Sequence, residues 1–211
     1  MMVKSFAPWR EIRTSKMNSK SVLKEIDSWI EYIWVKVVKK EYEQGKILEE
    51  SNLHSTVYYH LRKIIDHYKK GRRNKLFLYS EMPFSTKKGG EGKRSPRVDL
   101  AVVILDEDDE TPMDLLAVIE VKHYDTHANS IGIKKDLDHL KALWNGIYYP
   151  YSEFPKRLIS RRAYFLYIVD KGQILFDSKL KRKINRLKQG KYLKVFLGEG
   201  EKGKFHQYFL N

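Results

Sequence analysis

Apolar residues recur along this chain with two different periods, and the alternation between the periods outlines a fold. From Ser19 or Ser21 to Gln44, the residues Leu23, Ile26, Trp29, Ile30, Ile33, Trp34 and Val37 return at helical spacing, with Ser21 as an N-cap and Gly45 as a stop. A second helical stretch, Ile47 to Tyr68, carries Leu53, Val57, Leu61, Ile64 and Ile65 on one face and ends at Gly71. The pattern then changes to strand-length apolar runs at Leu76 to Glu81, Val98 to Leu105 and Leu115 to Lys122. Helical spacing returns from Ile131 to Trp144, with Ile133, Leu137, Leu140, Ala142 and Leu143 inward. The run Ala163 to Val169 is almost wholly apolar and reads as a central strand. A short helix capped by Ser178 follows, with Leu180, Ile184 and Leu187 inward, and two strands close the chain near Tyr192 to Leu197 and Phe205 to Leu210.

This order predicts an α/β fold with a central mixed sheet flanked by helices, preceded by an extra N-terminal helix. Residues 1–45 read as a tail and a helix packing on the core, and residues 46–211 as the main domain, the two forming one structural unit. Residues 1–18 read as irregular. The extra helix is expected to pack internally, with a homodimer contact as the alternative.

Three charged residues interrupt this pattern. Asp99 heads the second strand run, and Glu120 and Lys122 end the third. Buried strands normally exclude ionised groups, because an unpaired buried charge is expensive. A hairpin places the start of one strand beside the end of the next, and Glu120 and Lys122, two apart, project from one face. Two carboxylates and an ammonium are therefore expected to meet at one end of a sheet, with the carboxylates close enough to share one cation. Carboxylates suit a hard divalent cation such as Mg²⁺, and a lysine beside it can position a water.

Asp99, the Glu120-Val121-Lys122 triplet and their strand context resemble the PD-(D/E)xK nuclease superfamily, the restriction-endonuclease-like fold. The likeness spans roughly Ile47 to Val169, and its Pro-Asp dipeptide is not intact, since the chain reads Pro96-Arg97-Val98-Asp99. The resemblance implies a Mg²⁺- or Mn²⁺-dependent deoxyribonuclease in which Asp99, Glu120 and the Val121 carbonyl bind the metal. Lys122 would orient a water or offset developing charge. It also implies a glutamate from the first core helix at the metal. Glu50 fits that role better than Glu49, because it lies seven residues before Val57 and shares its face within about 20°. An accessory polar residue from the helix after the triplet is nominated as Lys135.

Composition narrows the partners. The chain has 211 residues, no cysteine and a formal net charge of +14. A disulfide framework and a thiolate metal site are thereby excluded, and a polyanionic partner is favoured. Charge is segregated: Lys179 to Lys194 holds eight Lys or Arg and no acid, whereas Asp106 to Glu110 is acidic. Lys181, Arg182, Lys183 and Arg186 are nominated to bind DNA phosphates. Lys87, Lys88, Lys93 and Arg94, in the Gly- and Lys-rich loop from Ser85 to Ser95, join them. His123 and His127 are four apart, but no helix and no further ligand support a zinc site. Glu81 is a candidate for the site edge. The aromatic run Tyr148 to Tyr151 is expected to pack on its own domain. No apolar stretch reaches membrane-spanning length, so a soluble intracellular, cytoplasmic protein with no membrane partner is expected. The alternatives to a deoxyribonuclease are a catalytically silent DNA-binding or assembly protein of the same fold and a basic RNA-processing nuclease.

Overall fold

The computed structural model describes residues 19–69, 76–87, 96–105, 112–124, 130–150, 157–170, 178–189, 192–201 and 204–210. It is an α/β structure built on a mixed six-stranded sheet with helices on both faces. The helices are α1 (Ser19–Tyr32), continued by a π-helical segment (Ile33–Val38) and α2 (Lys39–Glu43), then α3 (Glu50–Lys69), α4 (Ser130–Asn145) and α5 (Ser178–Gln189). The six sheet strands are β1 (Leu76–Pro83), β2 (Arg97–Leu105), β3 (Pro112–Tyr124), β6 (Ala163–Val169), β7 (Leu193–Glu201) and β8 (Lys204–Leu210). A two-stranded ribbon, β4 (Ile147–Tyr148) and β5 (Arg157–Leu158), lies apart from them.

The sheet order is β1-β2-β3-β6-β7-β8. The three N-terminal strands form an antiparallel meander, β3, β6 and β7 run parallel, and β8 returns antiparallel to β7. Parallel neighbours need long crossovers, and α4 and α5 supply the helical part of the two that the topology requires. Every residue of β6 is buried, as a strand covered on both faces must be.

Alternation along the strands divides the core into two layers. Leu78, Leu100, Val102, Ala117, Ile119, Leu166 and Phe196 pack with Val22, Ile26, Ile30, Trp34, Leu53, Val57 and Leu61 from the N-terminal helices. Ala101, Val103, Val118, Phe165 and Val195 pack on the other face with Ile133, Leu137, Leu140 and Leu143 of α4 and Ile184 of α5. The apolar stripe of the extra N-terminal helix is thus buried in the same core as the sheet. Trp34, fully buried, meets Phe196 and Phe205 edge-on at centroid distances of 6.1 and 5.7 Å. Pairs of this kind contribute about 0.5–1.5 kcal/mol beyond area burial.

The long N-terminal helix departs from the expected periodicity: Val22 rather than Leu23 is fully buried near its start, and a π-helical segment follows. The π-helical segment inserts one extra residue into the turn, which brings Val38 fully into the core and leaves Val37 partly buried. The helix ends as its glycine predicts. Gly45 has a φ of +69°, Gly45 N–H donates to Tyr42 O at 2.8 Å, and Lys46 N–H donates to Glu41 O at 2.9 Å. These two bonds make a Schellman cap. Tyr42 then reaches over β7, where a Cβ on Gly200 would lie 1.8 Å from its hydroxyl. Its hydroxyl donates to Asp170 Oδ1 at 2.5 Å, and His123 Nε2 lies 3.0 Å from the same oxygen. His123 is therefore committed to a part-buried pair with Asp170, and His127 lies outside the described residues. Among the described residues no helix is long and apolar enough to cross a membrane.

Candidate active site

β2 and β3 are paired so that Leu100 faces Ile119, which sets Asp99 and Glu120 next along the ladder. Asp99 lies two residues before Ala101, and Glu120 and Lys122 lie two and four after Val118. All three therefore continue the sheet face that α4 covers. A cavity of about 370 Å³ opens there, lined by Pro96, Arg97, Asp99, Glu120, Lys122, Lys135, Asp136 and His139. The hairpin supplies the first five of these residues and α4 the last three.

The carboxylates crowd one another. Asp99 Oδ2 accepts the Val121 N–H at 2.8 Å, which ties the carboxylate across to β3. Glu120 is 2 % exposed, and its Oε1 is buried with no hydrogen-bond partner. Burial drives the Glu120 pKa well above its usual value, and the charges of Asp99 and Asp136 push it further. Asp99 also lies within hydrogen-bonding reach of the Glu120 carboxyl, a contact that needs a proton between the two groups. Asp136 is pushed up to about 6, chiefly by burial, against the opposing pull of Lys122.

Lys122 is fixed by these acids. Its Nζ donates to Glu50 Oε1 at 2.8 Å and stands 3.8 Å from Asp136 Oδ2, the latter too far for a hydrogen bond. Burial disfavours the ammonium, but the bond to Glu50 and the charges of Asp136 and Asp99 outweigh it and raise the pKa. Lys122 is accordingly held protonated, which suits it to orient a water or offset charge and leaves it unable to act as a base near neutrality.

Asp99, Glu120 and Lys122 thus share one cavity, and Glu50 joins them from the first turn of α3 through Lys122. Glu49 takes a different partner, accepting from Ser51 Oγ at 2.5 Å. Val121 contributes its N–H to Asp99 while its side chain packs in the opposite layer. Lys135 lines the cavity from the exposed side of α4. Glu81 is exposed, has a φ of 56°, and is not among the lining residues. Lys181, Arg182 and Arg186 are exposed on α5, and Lys87 is exposed beyond β1. Lys88, Lys93, Arg94 and the Lys183 side chain lie outside the described residues. Tyr148 forms an isolated bridge with Ser85, and Tyr149 packs on its own core; Tyr151 lies outside the described residues.

Asp136 and His139 also line the cavity, although neither the strand runs nor the family resemblance points to them. The signal was present for Asp136, which falls on the inward stripe of α4 defined by Ile133, Leu137 and Leu140. An acid on such a stripe is as anomalous as Asp99 or Glu120 in a strand. His139 lies one turn further on.

The donor set suits a cation with a largely aqueous coordination sphere. Among the described residues, no three His, Cys, Asp or Glu are grouped so as to hold a metal ion by themselves. Asp99 and Glu120 nonetheless present two carboxylates to the cavity, one with a buried oxygen lacking a partner. Mg²⁺ is commonly held by one or two carboxylates, with waters and substrate phosphates in the remaining positions, and these residues fit that mode.

No protein-family model matches this chain, and no curated protein matches it. Among solved structures, that of Pyrococcus furiosus SfsA in complex with Ca²⁺ is similar at 13 % identity, over 76 % of this chain and 63 % of that one, with a TM-score of 0.31. A likeness this shallow carries no argument about what the present chain binds or does.

Proposed function

We propose that this chain is a metal-dependent nuclease of the PD-(D/E)xK type that hydrolyses phosphodiester bonds of DNA. The observation that carries the reading is the Glu120 carboxyl. It is buried, has an oxygen without a partner, and faces a cavity that also holds Asp99 and an ammonium. A structural salt bridge would pair Glu120 with Lys122, but Lys122 bonds to Glu50 instead. One oxygen of this buried, costly carboxyl is thus left without an internal partner. Mg²⁺ or Mn²⁺, when bound by Asp99 and Glu120, would supply an acidified water and offset charge on the phosphate.

The protein groups have distinct tasks on this reading. The Val121 N–H fixes the Asp99 carboxylate. Glu50 and Asp136 hold the Lys122 ammonium where it can orient the attacking water and stabilise charge that builds on the phosphate. The exposed cations of α5 and Lys87 attract the phosphate backbone.

The reading is tested by incubating linear, circular, single-stranded and branched DNAs, and an RNA, with the protein and Mg²⁺ or Mn²⁺. Cleavage of DNA that stops in chelator and in the Asp99→Ala protein is expected. Binding without cleavage on any substrate would identify a silent DNA-binding relative, and cleavage confined to RNA would identify an RNA-processing enzyme.

The charge segregation makes a separate prediction. Replacing Lys181, Arg182, Lys183 and Arg186 by alanine is expected to weaken DNA binding uniformly across sequences. The slope of log K against log salt should flatten by as much as about 0.9 for each phosphate that is no longer neutralised. Filter binding or fluorescence anisotropy in chelator at several salt concentrations measures this. An unchanged slope would show that these side chains are simply solvated.

A further inference from the structure

Hydrolysis of a phosphodiester requires a group to take the proton that the attacking water gives up. This question rests on the nuclease reading above, and the cavity narrows the answer. Asp99 and Glu120 are the carboxylates assigned to the cation. Lys122 is locked as an ammonium by Glu50 at 2.8 Å. Asp136 stands against Lys122 on its other side. Arg97 and Lys135 are exposed cationic side chains at the cavity rim. Two lining residues keep proton-transfer chemistry, Asp136 and His139, and Asp136 is the one set against the Lys122 ammonium at 3.8 Å.

His139 lies on α4 one turn beyond Asp136, half-buried, and its ring is set edge-on against Phe84 at a centroid distance of 5.6 Å and an angle of 83°. Phe84 is itself fully buried, so the imidazole is braced by a rigid neighbour. The charged groups around it are Lys135 and Asp138 from its own helix, Asp99 from β2 and Lys122 from β3. Partial burial, helped by Lys135 and Lys122, weakens the ring's hold on a proton. The imidazole is therefore neutral near pH 7 and has a free nitrogen lone pair.

We propose that His139 is the proton acceptor of the hydrolysis, placed by α4 at the wall of the same cavity as Asp99, Glu120 and Lys122. In the step, an O–H bond of water breaks and its proton passes to an imidazole nitrogen. The oxygen forms the new P–O bond. The electron pair of the breaking P–O bond stays on the departing sugar oxygen, which takes a proton from solvent. The imidazolium then releases its proton to solvent, so atoms and charge balance over the turnover.

The test compares wild type with His139→Ala and His139→Gln. Three measurements are made: single-turnover cleavage from pH 5 to 9 with Mg²⁺, Mn²⁺ affinity by calorimetry, and DNA affinity in chelator. The rate constant at neutral pH is expected to fall by roughly 10²–10⁴-fold in both variants. Mn²⁺ and DNA affinities should stay within about twofold, the acid limb of the pH profile should lose the step that His139 contributes while steps from Glu120 and Asp136 remain, and added imidazole should restore part of the His139→Ala rate. A variant that keeps the wild-type rate and acid limb would overturn the proposal, and so would loss of rate accompanied by loss of Mn²⁺ or DNA binding. Absence of metal-dependent cleavage by the wild type would remove the nuclease reading and this proposal together.

Discussion

Glu120→Gln is expected to stabilise the protein and, on the nuclease reading, to abolish cleavage. Burial and two neighbouring carboxylates lift the Glu120 pKa well above 4.5, so the folded chain keeps a proton that the unfolded chain releases. For an acid with a raised folded-state pKa, the group's contribution to stability is fully present below the unfolded value. It is lost as pH rises towards the folded one, at about 1.4 kcal/mol per pH unit. At pH 7 the loss can reach at most about 3 kcal/mol, because the unfolded carboxyl titrates near 4.5. Glutamine keeps the shape, can donate to Asp99, and has no proton to lose. In chelator at neutral pH the variant should melt several degrees higher, with a ceiling of roughly 10 °C for a chain of this size. The wild type should gain on the variant as pH falls towards 4.5. Mg²⁺ or Mn²⁺ should raise the melting temperature of the wild type and not that of the variant. Cleavage should fall by about 10³-fold or more, since several kcal/mol of charge stabilisation is lost. Melting curves across pH, with and without metal, together with a cleavage assay, check all of this. A variant that melts no higher and still responds to metal would remove Glu120 from the site.

On the nuclease reading, Lys122→Ala is expected to slow cleavage by about 10²–10³-fold while leaving Mn²⁺ binding largely intact, because the ammonium would offset charge on the reacting phosphate without being a ligand. The same change should lower stability. Without the ammonium, Glu50 loses its 2.8 Å partner, and Asp99, Glu120 and Asp136 face one another with only the exposed Arg97 and Lys135 at the rim to offset them. Glu50 is 43 % exposed, so its share of the ion pair is screened and the coupling is modest. A double-mutant cycle with Glu50→Gln should return a coupling energy on the order of 1 kcal/mol, measured by chemical denaturation in chelator. Additivity of the two changes would show that the pair contributes nothing, and an unchanged cleavage rate would place Lys122 outside the chemistry.

Both effects arise where the local pattern is violated, and the extent to which each violation was legible differs from residue to residue. Asp99 and Glu120 were visible because each is an ionisable group in an otherwise continuous apolar strand run. Glu50 was visible because its position seven residues before Val57 puts it on the buried face of α3. Asp136 breaks a period of 3.6 in the same way, yet α4 also carries Lys134, Lys135, Asp138 and Lys141. Among so many charges, one on the inward face attracts no notice. His139 sits on no anomalous position, and its place is known only once α4 is laid across the sheet.

The sequence by itself determined the main helices and the six sheet strands, though not the short β4–β5 ribbon, because period, caps and breakers are local properties written in neighbouring residues. It determined the α/β class, the central place of β6, and the meeting of Asp99 with Glu120 across a hairpin. Tertiary structure decided the rest. It inserted the π-helical turn that brings Val38 inward, paired Lys122 with Glu50 72 residues away, and brought His123 to Asp170. It also set the charge state of the cavity. A carboxyl's pKa depends on its burial and on charges within a few ångströms, and those distances exist only after β3, α3 and α4 have packed together.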